Sequence, residues 1–200
     1  MTKKPVVQNR TTLYIKNMVC NRCIRVVREE LENLGLRTER VELGEADIAG
    51  SKPINMDKIR EVLFRNGFEL IEDKRVRTIE RIKLVILKLV QNDYRKSGMP
   101  LNNSEYIERE VGHDYHALSS LFSSVENVTI EQYIILQRIE RVKELLKYGE
   151  MTLSEIADTT GYSSVQHLSN QFRKVTGMTP SYFKGLKNSV RNPIDKVVAP

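Results

Sequence analysis

Residues 153–183 read LSEIADTTGYSSVQHLSNQFRKVTGMTPSYF. Leu153, Ile156 and Ala157 recur at the spacing that gathers them on one face of a helix. Gly161-Tyr162 follows, and glycine adopts backbone angles that other residues resist. Ser163 or Ser164 can cap a second helix by accepting its free backbone N–H groups. Leu168, Phe172 and Val175 then give that helix an apolar face, and the small Ala157 lets the two helices approach closely. The stretch predicts helix, short turn, helix, the unit whose second helix enters a DNA major groove.

The same pattern stands 50 residues earlier. Residues 104–133 align with 154–183 without a gap, through Ser104-Glu105, Leu118-Ser119, Phe122, Val125 and Thr129. Between the copies, Ile130 to Lys147 predicts one long helix of roughly 27 Å at 1.5 Å per residue. Such a spacer suits two recognition helices set about one DNA turn, ~34 Å, apart.

These residues resemble the AraC family of regulators. The matching blocks are Tyr133-Ile134, Arg138-Ile139, Val142 and Leu145-Leu146, then Leu153 to Ala157, Gly161-Tyr162-Ser163, His167 to Lys174, and Gly177 to Phe183. The resemblance covers about residues 74–187 and implies a domain that reads two adjacent major-groove segments. The first copy departs from the family pattern. Ile107 stands in place of the small Ala, Val111 in place of the turn Gly, and Asn127 in place of the Gly before the linker.

On the second recognition helix, with Leu168 and Phe172 inward, Ser164, Val165, Gln166, Ser169, Asn170 and Arg173 face out. Gln and Asn amides pair with adenine edges, and Arg173 and Lys174 suit phosphates. Tyr115, His116, Ser119, Ser120 and Ser123 hold the matching positions of the first copy, whose recognition helix, read as Asp114 to Ser124, has no Lys or Arg. Because phosphate contacts supply much of the affinity, this copy is expected to bind weakly or to serve in packing. His113, Asp114 and His116 lack a fourth ligand and make a poor metal site.

The N-terminal pattern differs. Residues 12–16 predict a strand, Ile24, Val27, Leu31 and Leu34 a helix ended by Gly35, and residues 41–48 a hairpin turning at Gly44-Glu45. Ile59, Val62 and Leu63 predict a second helix stopped by Gly67, and Phe68 to Ile71 a last strand. The order βαββαβ is the ferredoxin-like split unit. Met18-Val19-Cys20-Asn21-Arg22-Cys23 lies between the first strand and helix, where a helix N-terminus favours thiolates.

With this fold order, the motif resembles heavy-metal-associated domains over residues 11–72. The resemblance implies a soft ion such as Cu(I) on Cys20 and Cys23, with Zn(II) only if other ligands join. Asn17 replaces the usual Gly and Val19 the usual Thr or Ser. In the loop before the last strand, Arg65 is placed to offset thiolate charge. Met18 reads as a core residue. A relic fold without metal and a redox pair are the competing readings.

The expected architecture is therefore α+β: a ferredoxin-like domain at 11–72, then an all-α DNA-binding domain at 74–187 with two helix-turn-helix units, and a tail at 188–200. A helix over about 74–94, carried by Val76, Ile79, Ile82, Ile86 and Leu89, opens the second part, and Ser97 to Pro100 break it.

The 200-residue chain has a net charge of +6. Residues 163–200 carry 6 basic and 1 acidic side chains, whereas residues 97–162 carry 5 and 11, so the C-terminal stretch best suits phosphate. Without Trp, a stacking platform for single strands is not indicated. No apolar run of signal-peptide or membrane-spanning length occurs, which predicts a cytoplasmic chain. No nucleophile motif, phosphate loop or carboxylate constellation points to an enzyme. The expected partners are duplex DNA and either a second copy or the transcription machinery. A metal-independent adaptor and a metal carrier are the alternatives.

Overall fold

The computed structural model describes residues 10–50, 54–91 and 102–186. The chain divides into two compact units, residues 1–84 and 85–200.

In the first unit the order is β1 (Arg10–Lys16), α1 (Asn21–Asn33), β2 (Arg37–Glu42), β3 (Glu45–Ala49), α2 (Met56–Arg65) and β4 (Glu69–Leu70). The four strands form one antiparallel sheet in the order β2-β3-β1-β4. Alternation along β1 sends Leu13 and Ile15 into a core with Val27 and Leu31 of α1 and Ile59 and Leu63 of α2. Met18 joins that core, 1% exposed. The β2–β3 turn falls at Leu43-Gly44, one residue before the predicted place. Gly44 has φ +85°, and a Cβ there would lie 2.6 Å from Leu84 Cδ1, so only glycine fits this turn unstrained.

On the strands' other side, Asp47 is 1% exposed and bonds to Arg10, to Thr12 Oγ1 at 2.7 Å and to Arg40 Nε at 2.8 Å. The register explains the cluster, since Asp47 lies opposite Thr12 on β1 and Arg40 on β2. Arg10, with lesser help from Thr12 and Arg40, holds the Asp47 carboxyl well below the usual carboxylate range against the opposing effect of burial.

Helix α3 (Lys74–Gln91) contains the division between the two compact units, which falls at Leu84/Val85. The first part of α3 is tied to the sheet. The Arg77 guanidinium sits 4.5 Å from the Tyr14 ring centre, and Arg81 donates to Glu45 at 3.1 Å. The predicted end of this helix at 92–94, the break at 97–100 and the tail at 188–200 lie outside the described residues.

The second unit continues with α4 (Asn103–Val111), α5 (Tyr115–Glu126), α6 (Ile130–Tyr148), α7 (Leu153–Thr159), α8 (Val165–Thr176) and α9 (Pro180–Gly185). Its core joins Ile139, Val142 and Leu146 of α6 to Ile156 and Ala157 of α7, Leu168 and Phe172 of α8 and Phe183 of α9.

The repeat is visible in the packing. Phe122 meets Tyr133 edge-on at 5.4 Å, and 50 residues later Phe172 meets Phe183 edge-on at 5.5 Å. Thr129 and Thr179 cap α6 and α9 by accepting backbone N–H bonds. Asn127 and Gly177 close α5 and α8 in left-handed conformation, and Asn tolerates that region better than most residues. The copies differ in the turn. Gly112, one residue after the position aligned with Gly161, supplies the left-handed residue, and α4 runs to Val111, so no glycine is needed at 111. Ile107 fills the core at 0% exposure where Ala157 stands in the second copy.

Candidate DNA interface and the thiol pair

Helix α8 is fixed at both ends. Ser164, not Ser163, is its N-cap and accepts from the His167 backbone N–H at 3.1 Å. Leu168 and Phe172 anchor its inner face at 0% exposure each. Truncating Phe172 to Ala is expected to cost about 3–5 kcal/mol of stability. With that face buried, Ser164, Val165, Gln166, Asn170, Arg173 and Lys174 are exposed, and Ser169 is half-buried. Gln166 Nε2 donates to Asn170 Oδ1 at 3.0 Å, so the two amides lie side by side. Their other donors and acceptors are available for a base edge.

Ser163 and His167, named in the sequence only as a candidate cap and within a matching block, were not placed among the expected DNA contacts. Ser163 Oγ lies 3.1 Å from His167 Nδ1, and the imidazole stands edge-on to Tyr162 at 5.2 Å. Both residues are exposed where α8 begins. Their i, i+4 spacing was the available signal. Tyr162 itself is buried, and burial pushes its hydroxyl up to about 12.

Helix α5 presents a different face. His116 and Ser120 are exposed, whereas Tyr115, Ser119 and Ser123 are half-buried. Tyr115 donates its hydroxyl to Glu131 of α6. Burial raises the Tyr115 hydroxyl, and the Glu131 carboxylate raises it further. Tyr115 thus braces α5 against α6 while part of its side chain stays exposed. The residues aligned with Arg173 and Lys174 are Ser123 and Ser124. Among the described residues no group of three or more His, Cys, Asp or Glu could hold a metal ion, and Asp114 of the histidine-flanked trio is the N-cap of α5.

In the first unit, Cys20 is the N-cap of α1, and its Sγ lies 3.4 Å from Cys23 Sγ. Cys20 is exposed and Cys23 half-buried. The Cys23 backbone N–H at the helix start lowers the Cys20 thiol below its ordinary value, with smaller help from the Cys23 side chain and Arg22 against the opposing effect of burial. Arg65 does not take the predicted role. It pairs with Glu61, one turn back on its own helix. Asn17 stands at φ +70°, which accounts for a glycine-like residue there, and its amide donates to Gly67 O at 3.0 Å. The donor set of two adjacent thiols fits a soft ion of low coordination number. It does not complete the four ligands of a structural zinc site.

Residues 107–185 match the family model described as "Helix-turn-helix domain". The C-terminal half of the chain is a helix-turn-helix domain of AraC type. The chain is similar to the probable transcriptional regulator LumQ of Photobacterium leiognathi, 23% identical over 124 residues that make up 62% of this chain and 48% of that protein. It is similar also to the transcriptional regulator ExsA of Pseudomonas aeruginosa, 29% identical over 115 residues, 58% of this chain and 38% of that one. The chain thus spans less than half the length of these relatives. A solved regulator with an AraC-type DNA-binding domain from Chromobacterium violaceum is 22% identical with a TM-score of 0.45, covering 54% of this chain and 95% of that one. Among the described residues no helix is long and apolar enough to cross a membrane.

Proposed function

We propose that the chain is a cytoplasmic, sequence-specific transcription regulator that reads duplex DNA through α8. The observation that carries this reading is the outer face of α8, where exposed Gln166 and Asn170 stand with Arg173 and Lys174 opposite the buried Leu168 and Phe172. The amides suit adenine edges, Val165 suits a thymine methyl, and the two cations suit phosphates that fix the register. Helix α5 has serines where α8 has cations, so it contributes less affinity. That difference also favours a chain that gains affinity from a second copy or from the transcription machinery.

The first unit is read as a ferredoxin-like domain of the heavy-metal-associated kind, with Cys20 and Cys23 holding a soft ion such as Cu(I). Bound there, the ion would supply charge and cross-linking at the start of α1. The lowered Cys20 thiol supports the reading, since the thiolate is the ligand. A metal-independent adaptor is the alternative.

The test is an anaerobic titration of the reduced chain into labelled duplex from upstream of its own gene and into an unrelated duplex, with and without one equivalent of Cu(I), followed by anisotropy. Tight, salt-sensitive binding to the first duplex is expected, altered by copper in the wild type and unaltered in Cys20→Ser. Binding indifferent to copper removes the metal response and leaves the regulator. Equal, weak binding to both duplexes contradicts recognition of that site.

A further inference from the structure

At the end of the sheet where α1 runs into β2 and β3 runs toward α2, the first unit contains a cavity of about 520 Å³. Leu34, Ile48, Ile54 and Ile59 give it apolar walls, and Arg37 and Lys58 contribute the cationic part of its lining. The volume lies within the roughly 300–1,000 Å³ range of small-molecule sites. Cys20 and Cys23 are not among its lining residues.

The two cations are the telling feature. Other cations of this unit are engaged, Arg10 and Arg40 by Asp47, Arg28 by Glu32, Arg60 by Asp57 and Glu72, and Arg65 by Glu61. Arg22, Lys74 and Arg75 meet no carboxylate among the described residues, but they do not line the cavity. Arg37 and Lys58 have no carboxylate partner among the described residues. Asp57, beside Lys58 in sequence, is already engaged by Arg60. Two cations with no carboxylate partner among the described residues, beside an aliphatic hollow, make a site with one apolar and one positive part. It complements a compact molecule with a hydrocarbon body and an anionic head. The body replaces water against the isoleucines and Leu34, and the head accepts charge-assisted hydrogen bonds from Arg37 and Lys58.

We infer that this cavity is a binding site for a small apolar carboxylate, separate from the thiol pair and from DNA recognition. The inference does not rest on the DNA-binding reading, and its test uses no DNA.

The test is a titration of the reduced, uniformly ¹⁵N-labelled full chain with 4-phenylbutyrate, and in parallel with 4-phenylbutylamine, which has the same body and the opposite charge. The acid is expected to shift the amides of Gly35, Gly50 and Lys58 saturably, and the amine to leave them in place. Arg37→Gln with Lys58→Gln changes only exposed side chains, and its spectrum away from the cavity reports that it is folded. This double variant is expected to weaken acid binding at least about tenfold. The inference is overturned if the acid gives no saturable shift, if the amine shifts the same amides equally, or if the folded double variant binds the acid as tightly.

Discussion

Gln166 and Asn170 stand one turn apart on α8, with the Gln166 amide donating to Asn170 Oδ1 at 3.0 Å. The pair is preorganised, because each amide holds the other over the exposed face. Replacing either by Ala should cost about 1–3 kcal/mol of discrimination at one or two base pairs while leaving binding to random DNA nearly unchanged. Lys174→Ala should instead weaken all duplexes alike and reduce the salt slope by about 1. Competition binding at several salt concentrations separates the two outcomes.

The bond from Tyr115 to Glu131 predicts the opposite pattern for α5. Tyr115→Phe should lower stability by about 1 kcal/mol, visible in urea unfolding, without changing DNA affinity. His116→Ala and Ser120→Ala should each change affinity by less than about 0.5 kcal/mol, as ordinary surface substitutions do. A loss in either variant matching that of Asn170→Ala would make α5 an equal reader.

Cys20 and Cys23, 3.4 Å apart, predict one Cu(I) per chain under reducing conditions, measured by competition with a chromophoric chelator. Cys20→Ser should abolish that binding and leave the helical signal of the chain intact. Retained stoichiometric binding in Cys20→Ser would place the copper elsewhere.

Asp47 predicts a pH dependence of stability. Its folded carboxyl is held below the unfolded value of about 3.9, so the unfolded chain binds the proton more readily. The contribution is fully present above that unfolded value and is lost as pH falls toward the folded one. Asp47→Asn should lower stability by about 1–3 kcal/mol at neutral pH and flatten the decline of the urea midpoint below about pH 4. A variant with the wild-type acid profile would show that other carboxylates govern it.

The second helix-turn-helix was legible because each of its cues is local. Ser164 caps, Gly161 turns, and Leu168 and Phe172 recur at helical spacing. The first copy was harder, since its turn residue moved from the aligned position to Gly112 and its Asn127 does glycine's work at φ +58°. A residue-by-residue alignment cannot register that shift. The brace from Tyr115 to Glu131 and the release of Arg65 to Glu61 depend on which side chains meet after packing, which periodicity does not carry. The Asp47 cluster was hidden for the same reason, because it needs the register of three strands. The position of Asn17 was legible as a departure from Gly, and its positive φ gives the physical reason for the residue found there.

The outer face of α8 is the proposed reader of bases. Selection of bound sequences from a randomised duplex library, run in parallel for the wild-type chain and Gln166→Ala/Asn170→Ala, tests it most directly. The wild type should enrich a defined motif, and the folded double variant should still retain DNA but lose the enrichment at one or two positions. No enriched motif for the wild type, or the same motif with undiminished information from the double variant, would contradict the claim.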